Sequence, residues 1–155
     1  MKWHNPGLGL FILRVALGII FLMHGLGKLI GPPFDGPGMA GWTGMLRDVL
    51  HFPAPTLMAF VGMLVETLGG LALLLGLGVQ IAAILVAIQV FIGGLLVHVS
   101  HGFDVFHFGD PMARGYEYSL ALIGALLCVT FAGPGNWALQ RAAPTVPAPG
   151  TAFRG

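Results

Sequence analysis

The chain has 155 residues, 56% of them hydrophobic and 8% charged, with a formal charge of +1. A soluble domain carries about 25% charged residues, so this composition excludes one and points to a protein solvated by lipid. The basic residues are too few and too scattered for a nucleic-acid footprint, and the single cysteine excludes an internal disulfide or a Cys-x-x-Cys relay.

The first apolar stretch, residues 8–29, is long enough at about 1.5 Å per residue to cross a hydrocarbon core of about 30 Å. It holds Arg14 and His24, and it leads into Gly31-Pro32-Pro33 with no Ala-x-Ala cleavage site, so it reads as a retained span and not a signal peptide. Residues 31–38 form a Gly/Pro loop that no helix tolerates. Trp42, Met45, Leu46, Val49 and Leu50 then recur at helical spacing opposite Thr43, Arg47, Asp48 and His51. That pattern suits a short helix in the membrane surface, with an irregular loop as the alternative.

A second span, residues 55–77, surrounds Glu66. Gly76 and Gly78 predict a tight hairpin into a third span, residues 79–99, which contains Gln80 and Gln89. The run from His98 through His101, Asp104 and His107 to Asp110 has histidines one turn apart, yet histidines and aromatics are ordinary at a membrane interface, and an interfacial loop is the better reading. The fourth span, residues 116–132, opens with Glu117 and is the shortest; Cys128 within it reads as a small apolar filler. Beyond Gly133-Pro134-Gly135 the chain is Ala/Pro/Gly-rich without periodicity. The expected fold is therefore all-α: an integral membrane four-helix bundle over residues 1–137, with a short interfacial helix between the first and second spans, followed by a disordered tail at 138–155. Four spans put both termini on one side, which Lys2, Arg141 and Arg154 mark as cytoplasmic against the opposing Arg47 and Arg114.

A charge at the centre of a spanning helix costs about 2.5 to 3.5 kcal/mol, so Arg14, Glu66 and Glu117 should face one another or a polar cavity. Measured from the predicted helix ends, Arg14 lies about 9 Å in and Glu66 about 16 Å in from the opposite end, within reach of a guanidinium. This predicts an inner layer of Arg14, Glu66 and Gln89, and an outer layer of His24, Lys28, His98 and Glu117 towards the loops. Arg14, His24 and Lys28 share one helix face, with Gly18 and Gly25 beside it, and Gly62, Gly69 and Gly70 flank Glu66. Two readings stay open. One is a structural ion pair that fixes helix register, and the other is a seam lining a headgroup site or a proton path.

Arg14-Val-Ala-Leu-Gly18 followed by His24-Gly-Leu-Gly-Lys28-Leu, then Glu66-Thr-Leu-Gly69-Gly70 with its Leu-Gly-Leu-Gly exit, and Gly115-Tyr116-Glu117-Tyr118, together resemble the DoxX/DoxD family of small four-span membrane proteins. The resemblance covers roughly residues 8–137, and the short length looks more DoxX-like. It implies a bacterial inner-membrane protein in quinone-linked or redox-stress chemistry. DoxD-like members belong to a thiosulfate:quinone oxidoreductase, and DoxX-like members associate with superoxide dismutase and a sulfurtransferase.

The resulting expectation is a membrane subunit of a redox or sulfur-metabolism complex that takes a quinone headgroup in its polar seam. Glu66, Glu117 and His24 would do the chemistry, Arg14, Lys28, Gln89 and His98 would bind, and neither a metal site nor a haem between His24 and His98 is expected. The bilayer and redox proteins are the expected partners, and a homo-oligomer is left open. The alternatives are a non-catalytic anchor for soluble redox enzymes and a small proton-coupled carrier.

Overall fold

The computed structural model describes residues 4–104 and 114–140. Among these residues the chain is helical without strands. The helices are α1 (Pro6–Leu29), α2 (Gly38–Gly44), α3 (Pro55–Leu75), α4 (Val79–Gly93) and α5 (Glu117–Ala132). Each boundary has a local cause. Pro6 opens α1 where its missing N–H costs nothing, and the Asn5 side chain accepts from Leu8 N at 3.0 Å. Pro55 likewise opens α3, there without a side-chain cap. Gly76 (φ 71°) and Gly78 (φ 55°) take the left-handed conformation that the α3–α4 hairpin requires, as their spacing predicts.

Two helices continue as π-helical turns: α2 through Met45–Val49, and α4 through Gly94–His98, with one 3₁₀ turn beyond, Val99–His101. Counting those turns, three helices are long and apolar enough to cross a membrane: Pro6–Leu29, Pro55–Leu75 and Val79–His101. The fourth expected span corresponds to α5, which is apolar but has only 16 residues, about 24 Å of helix. The surface-helix segment is helical from Gly38 to Val49 and packs on α1 and α3, with Leu46 buried.

α1 lies along α3, α3 along α4, and α4 along α5, which also touches α1. The core is built by Leu17, Phe21, Leu73, Val86, Leu126 and Val129. Outward-facing side chains are apolar too; Ile81 is 68% exposed and Phe131 84%. Such a surface is stable where lipid, not water, covers it. The α1–α3 seam is the tightest. A Cβ on Gly18 would fall 2.9 Å from Leu74 N, and one on Gly25 would fall 2.5 Å from Thr67 N, so glycine lets the two backbones meet.

The connection from α4 to α5 closes at its base through Gly115 N to Asp104 O and Glu117 N to Phe103 O, both at 3.0 Å. His107 and Asp110 of the metal reading lie outside the described residues, as does the tail from residue 141. The first tail residues are held in place: Leu139 N donates to Leu75 O and Gln140 N to Gly76 O.

Candidate functional site

The glycine contacts fix the register of α1 on α3, and that register decides which charges meet. Gly18 lies level with Gly70 and Leu74, and Gly25 with Thr67. Glu66 therefore comes level with the last turns of α1, where Lys28 sits, whereas Arg14 comes level with the end of α3. Arg14 and Lys28 are about 21 Å apart along the helix. The expected pairing of Arg14 with Glu66 does not form. Depths counted from helix ends assume flush ends; the small-residue contacts shift the partner by several turns.

Arg14 is fully buried and makes no contact with a carboxylate among the described residues. Its Nε donates to Pro134 O (3.0 Å), Nη1 to Leu73 O (2.5 Å) and Leu74 O (2.8 Å), and Nη2 to Asn136 O and Trp137 O (3.2 Å each). A guanidinium has five N–H donors, and all five are used. The carbonyls of Leu73 and Leu74 belong to the last turn of α3, whose partial negative charge favours a cation there. Phe11 covers the group at 5.4 Å and stacks edge-on against Trp137. Arg14 is thus a cap for a neighbouring helix, remote from Glu66.

Glu66 is the centre of the other cluster. Its Oε2 lies 2.5 Å from Lys28 Nζ, and its Oε1 accepts from Gln89 Nε2 at 2.8 Å. Gln89 Nε2 also reaches Gly62 O at 3.2 Å, so three helices join at one carboxylate. The Lys28 ammonium lies 4.4 Å from the ring centroid of Trp42 on α2, an arrangement that keeps a cation in place on an aromatic face. Gln89 beside Glu66 follows the predicted layer; Lys28 takes the place given to Arg14.

This cluster lines a cavity of about 590 Å³, the size of a small-molecule site, whose remaining walls are mostly apolar. Val61, Leu85 and Ile88 line it while remaining 43%, 48% and 49% exposed, so part of its wall on α3 and α4 belongs to the apolar outer surface. His24, Lys28 and Tyr118 line both this cavity and a smaller recess of about 440 Å³ against the Phe34–Pro37 loop. His98 also lines the main cavity, with Nδ1 2.9 Å from Arg114 O. Glu117 does not line it; it opens α5 with its backbone bonded to Phe103.

Of the predicted site residues, the structure brings Glu66, Lys28, Gln89, His24 and His98 to one cavity and leaves Arg14 and Glu117 out. Trp42 reads in the sequence only as part of an apolar helix face. A signal for it exists in principle: an aromatic residue on a short helix between spans that hold Lys28 and Glu66.

Comparison with known proteins identifies a family. The family model described as DoxX matches residues 9–99. An uncharacterised membrane protein of Mycobacterium tuberculosis is 28% identical over 134 residues, covering 83% of this chain and 77% of that protein. An uncharacterised protein of Haemophilus influenzae is 28% identical over 131 residues, covering 84% and 87% respectively. A Bacillus subtilis protein named "Putative oxidoreductase CatD" is 32% identical over 89 residues, covering 57% and 58%. No solved structure matches the chain. The family match spans more than half of the sequence, and the chain belongs to the DoxX family of membrane proteins.

Proposed function

We propose that this DoxX-family chain is a membrane subunit of a redox or sulfur-metabolism complex and that its cavity receives a quinone headgroup from the bilayer. The observation that carries the reading is the Lys28–Glu66–Gln89 cluster lining an otherwise mostly apolar cavity. A ligand with a polar ring and a hydrocarbon tail fits that division of surface. Buried ionisable groups inside a membrane protein mark functional paths more often than not. The name of the Bacillus subtilis relative points to the same class of chemistry.

A bound quinone supplies the electron-accepting chemistry, and the chain's own residues bind and position it. Lys28 orients the headgroup, Glu66 holds Lys28 in place, and Gln89 holds Glu66. His24, shared between the cavity and the loop-side recess, exchanges protons with the aqueous side. In this reading α5 completes a four-span bundle, Gly38–Val49 lies in the membrane surface, and both termini face the cytoplasm of a bacterial inner membrane. Electrons come from partner proteins, and the chain's role is to bring the quinone to them.

The test is direct binding. Purified protein in lipid nanodiscs, titrated with a decyl-substituted benzoquinone, should bind it saturably, and Glu66→Gln should weaken that binding. With its co-purifying partners it should also support thiosulfate-dependent quinone reduction. Absence of both binding and any effect on quinone reduction would refute the reading and favour a membrane anchor.

A further inference from the structure

Trp42 carries a donor that the described residues leave unused. Its indole Nε1 is buried and has no hydrogen-bond partner among the described residues. Buried indole N–H groups usually find an acceptor, and an unpartnered one at a cavity wall is placed to take it from a bound ligand. Trp42 lines the cavity. A Cβ built on Gly62 would lie 3.7 Å from both Trp42 Nε1 and Gln89 Nε2, so the orphan donor sits beside the polar cluster. Of its neighbours, Gln89 Nε2 is committed, donating to both Gly62 O and Glu66, while the Lys28 ammonium is held between Glu66 and the indole face with an N–H left to donate. Thr67 Oγ1, also without a partner, packs at Gly25 and does not line the cavity.

We infer that Trp42 is a specificity-determining residue: its indole N–H donates to a carbonyl oxygen on the headgroup, while its ring face holds the Lys28 ammonium. This rests on the cavity being a headgroup site. An indole donates and cannot accept, so the contact selects ligands that present an acceptor. A site built to hydrogen-bond a ligand group rejects analogues without it, because its own donor is then left buried and unpaired.

The experiment compares two probes in nanodiscs, the decyl-substituted benzoquinone and decylbenzene, on the wild type and on Trp42→Phe. Phenylalanine keeps an aromatic face for Lys28 and removes the donor together with part of the ring, and decylbenzene reports the loss of ring contact alone. The expected result is that Trp42→Phe binds the quinone probe about tenfold more weakly, binds decylbenzene unchanged, and melts as the wild type does. If the variant matches the wild type on both probes, or weakens on both equally, the donor role is wrong although the cavity remains a ligand site. If the wild type binds neither probe, the cavity reading itself fails and takes this inference with it. Should Trp42→Phe fold poorly, the wild type still decides. Its Trp42 indole proton resonance, assigned by elimination with Trp3→Phe and Trp137→Phe, should move downfield on adding the quinone probe and stay put with decylbenzene. No movement with the quinone probe overturns the inference.

Discussion

Replacing Arg14 separates a structural cap from a ligand-binding residue. In Arg14→Met the stem is kept and all five donors are lost, which leaves the carbonyls of Leu73, Leu74, Pro134, Asn136 and Trp137 without the partner they have now. Hydrogen bonds to a charged group contribute about 1.5 to 3 kcal/mol each, so the five together amount to about 7 to 15 kcal/mol gross. Burying the guanidinium costs several kcal/mol in return, and water can reach some of the freed carbonyls, so the net loss should be about 3 to 5 kcal/mol. Arg14→Lys offers three donors from one point and should fall between the two. Denaturant or thermal unfolding in micelles should therefore rank wild type, Arg14→Lys and Arg14→Met in that order. Quinone binding per folded molecule should be unchanged in Arg14→Lys. Unchanged stability in Arg14→Met, or lost binding with intact stability, would refute the reasoning.

Lys28→Met should destabilise by about 3 to 5 kcal/mol, because it leaves the Glu66 carboxylate buried without its cation. Combining it with Glu66→Gln should recover much of the loss, and unfolding of the two singles and the double measures that coupling. Gly70→Ala, whose Cβ would press on Leu22 N and Gly18 O, should cost about 1 to 3 kcal/mol by forcing α1 and α3 apart, read as a lower midpoint in the same unfolding assay. Gly124→Ala on α5 meets nothing within 4 Å and should unfold like the wild type or slightly later.

Most of the architecture was legible in the sequence because lipid imposes length and polarity on each span. The breaks at Pro55 and Gly76–Gly78 are local in cause and were readable as such, whereas Pro6 starts α1 two residues before the expected span. Glu66 with Gln89 was readable too, since both sit near the middle of helices joined by a short hairpin. The partner of Glu66 was not. Register between α1 and α3 comes from where glycines let two backbones touch, and many glycine pairings are compatible with one sequence. The cap role of Arg14 was hidden for a different reason: its partners are backbone carbonyls, which every residue carries and no motif reveals. The open donor of Trp42 depends on how α2 folds back over Lys28, a tertiary fact with no local signature.

The Arg14 cap ties the beginning of the chain to the segment just beyond its fifth helix. Three of the five carbonyls come from Pro134, Asn136 and Trp137, made long after α1 has been synthesised and inserted. Until they emerge, a buried cation in α1 lacks more than half of its acceptors, and α1 cannot settle fully against the end of α3. The order of biosynthesis and the order of tight packing are therefore opposed in this protein. Its first helix is made early, yet its buried cation is fully satisfied only once residues 134–137 are in place.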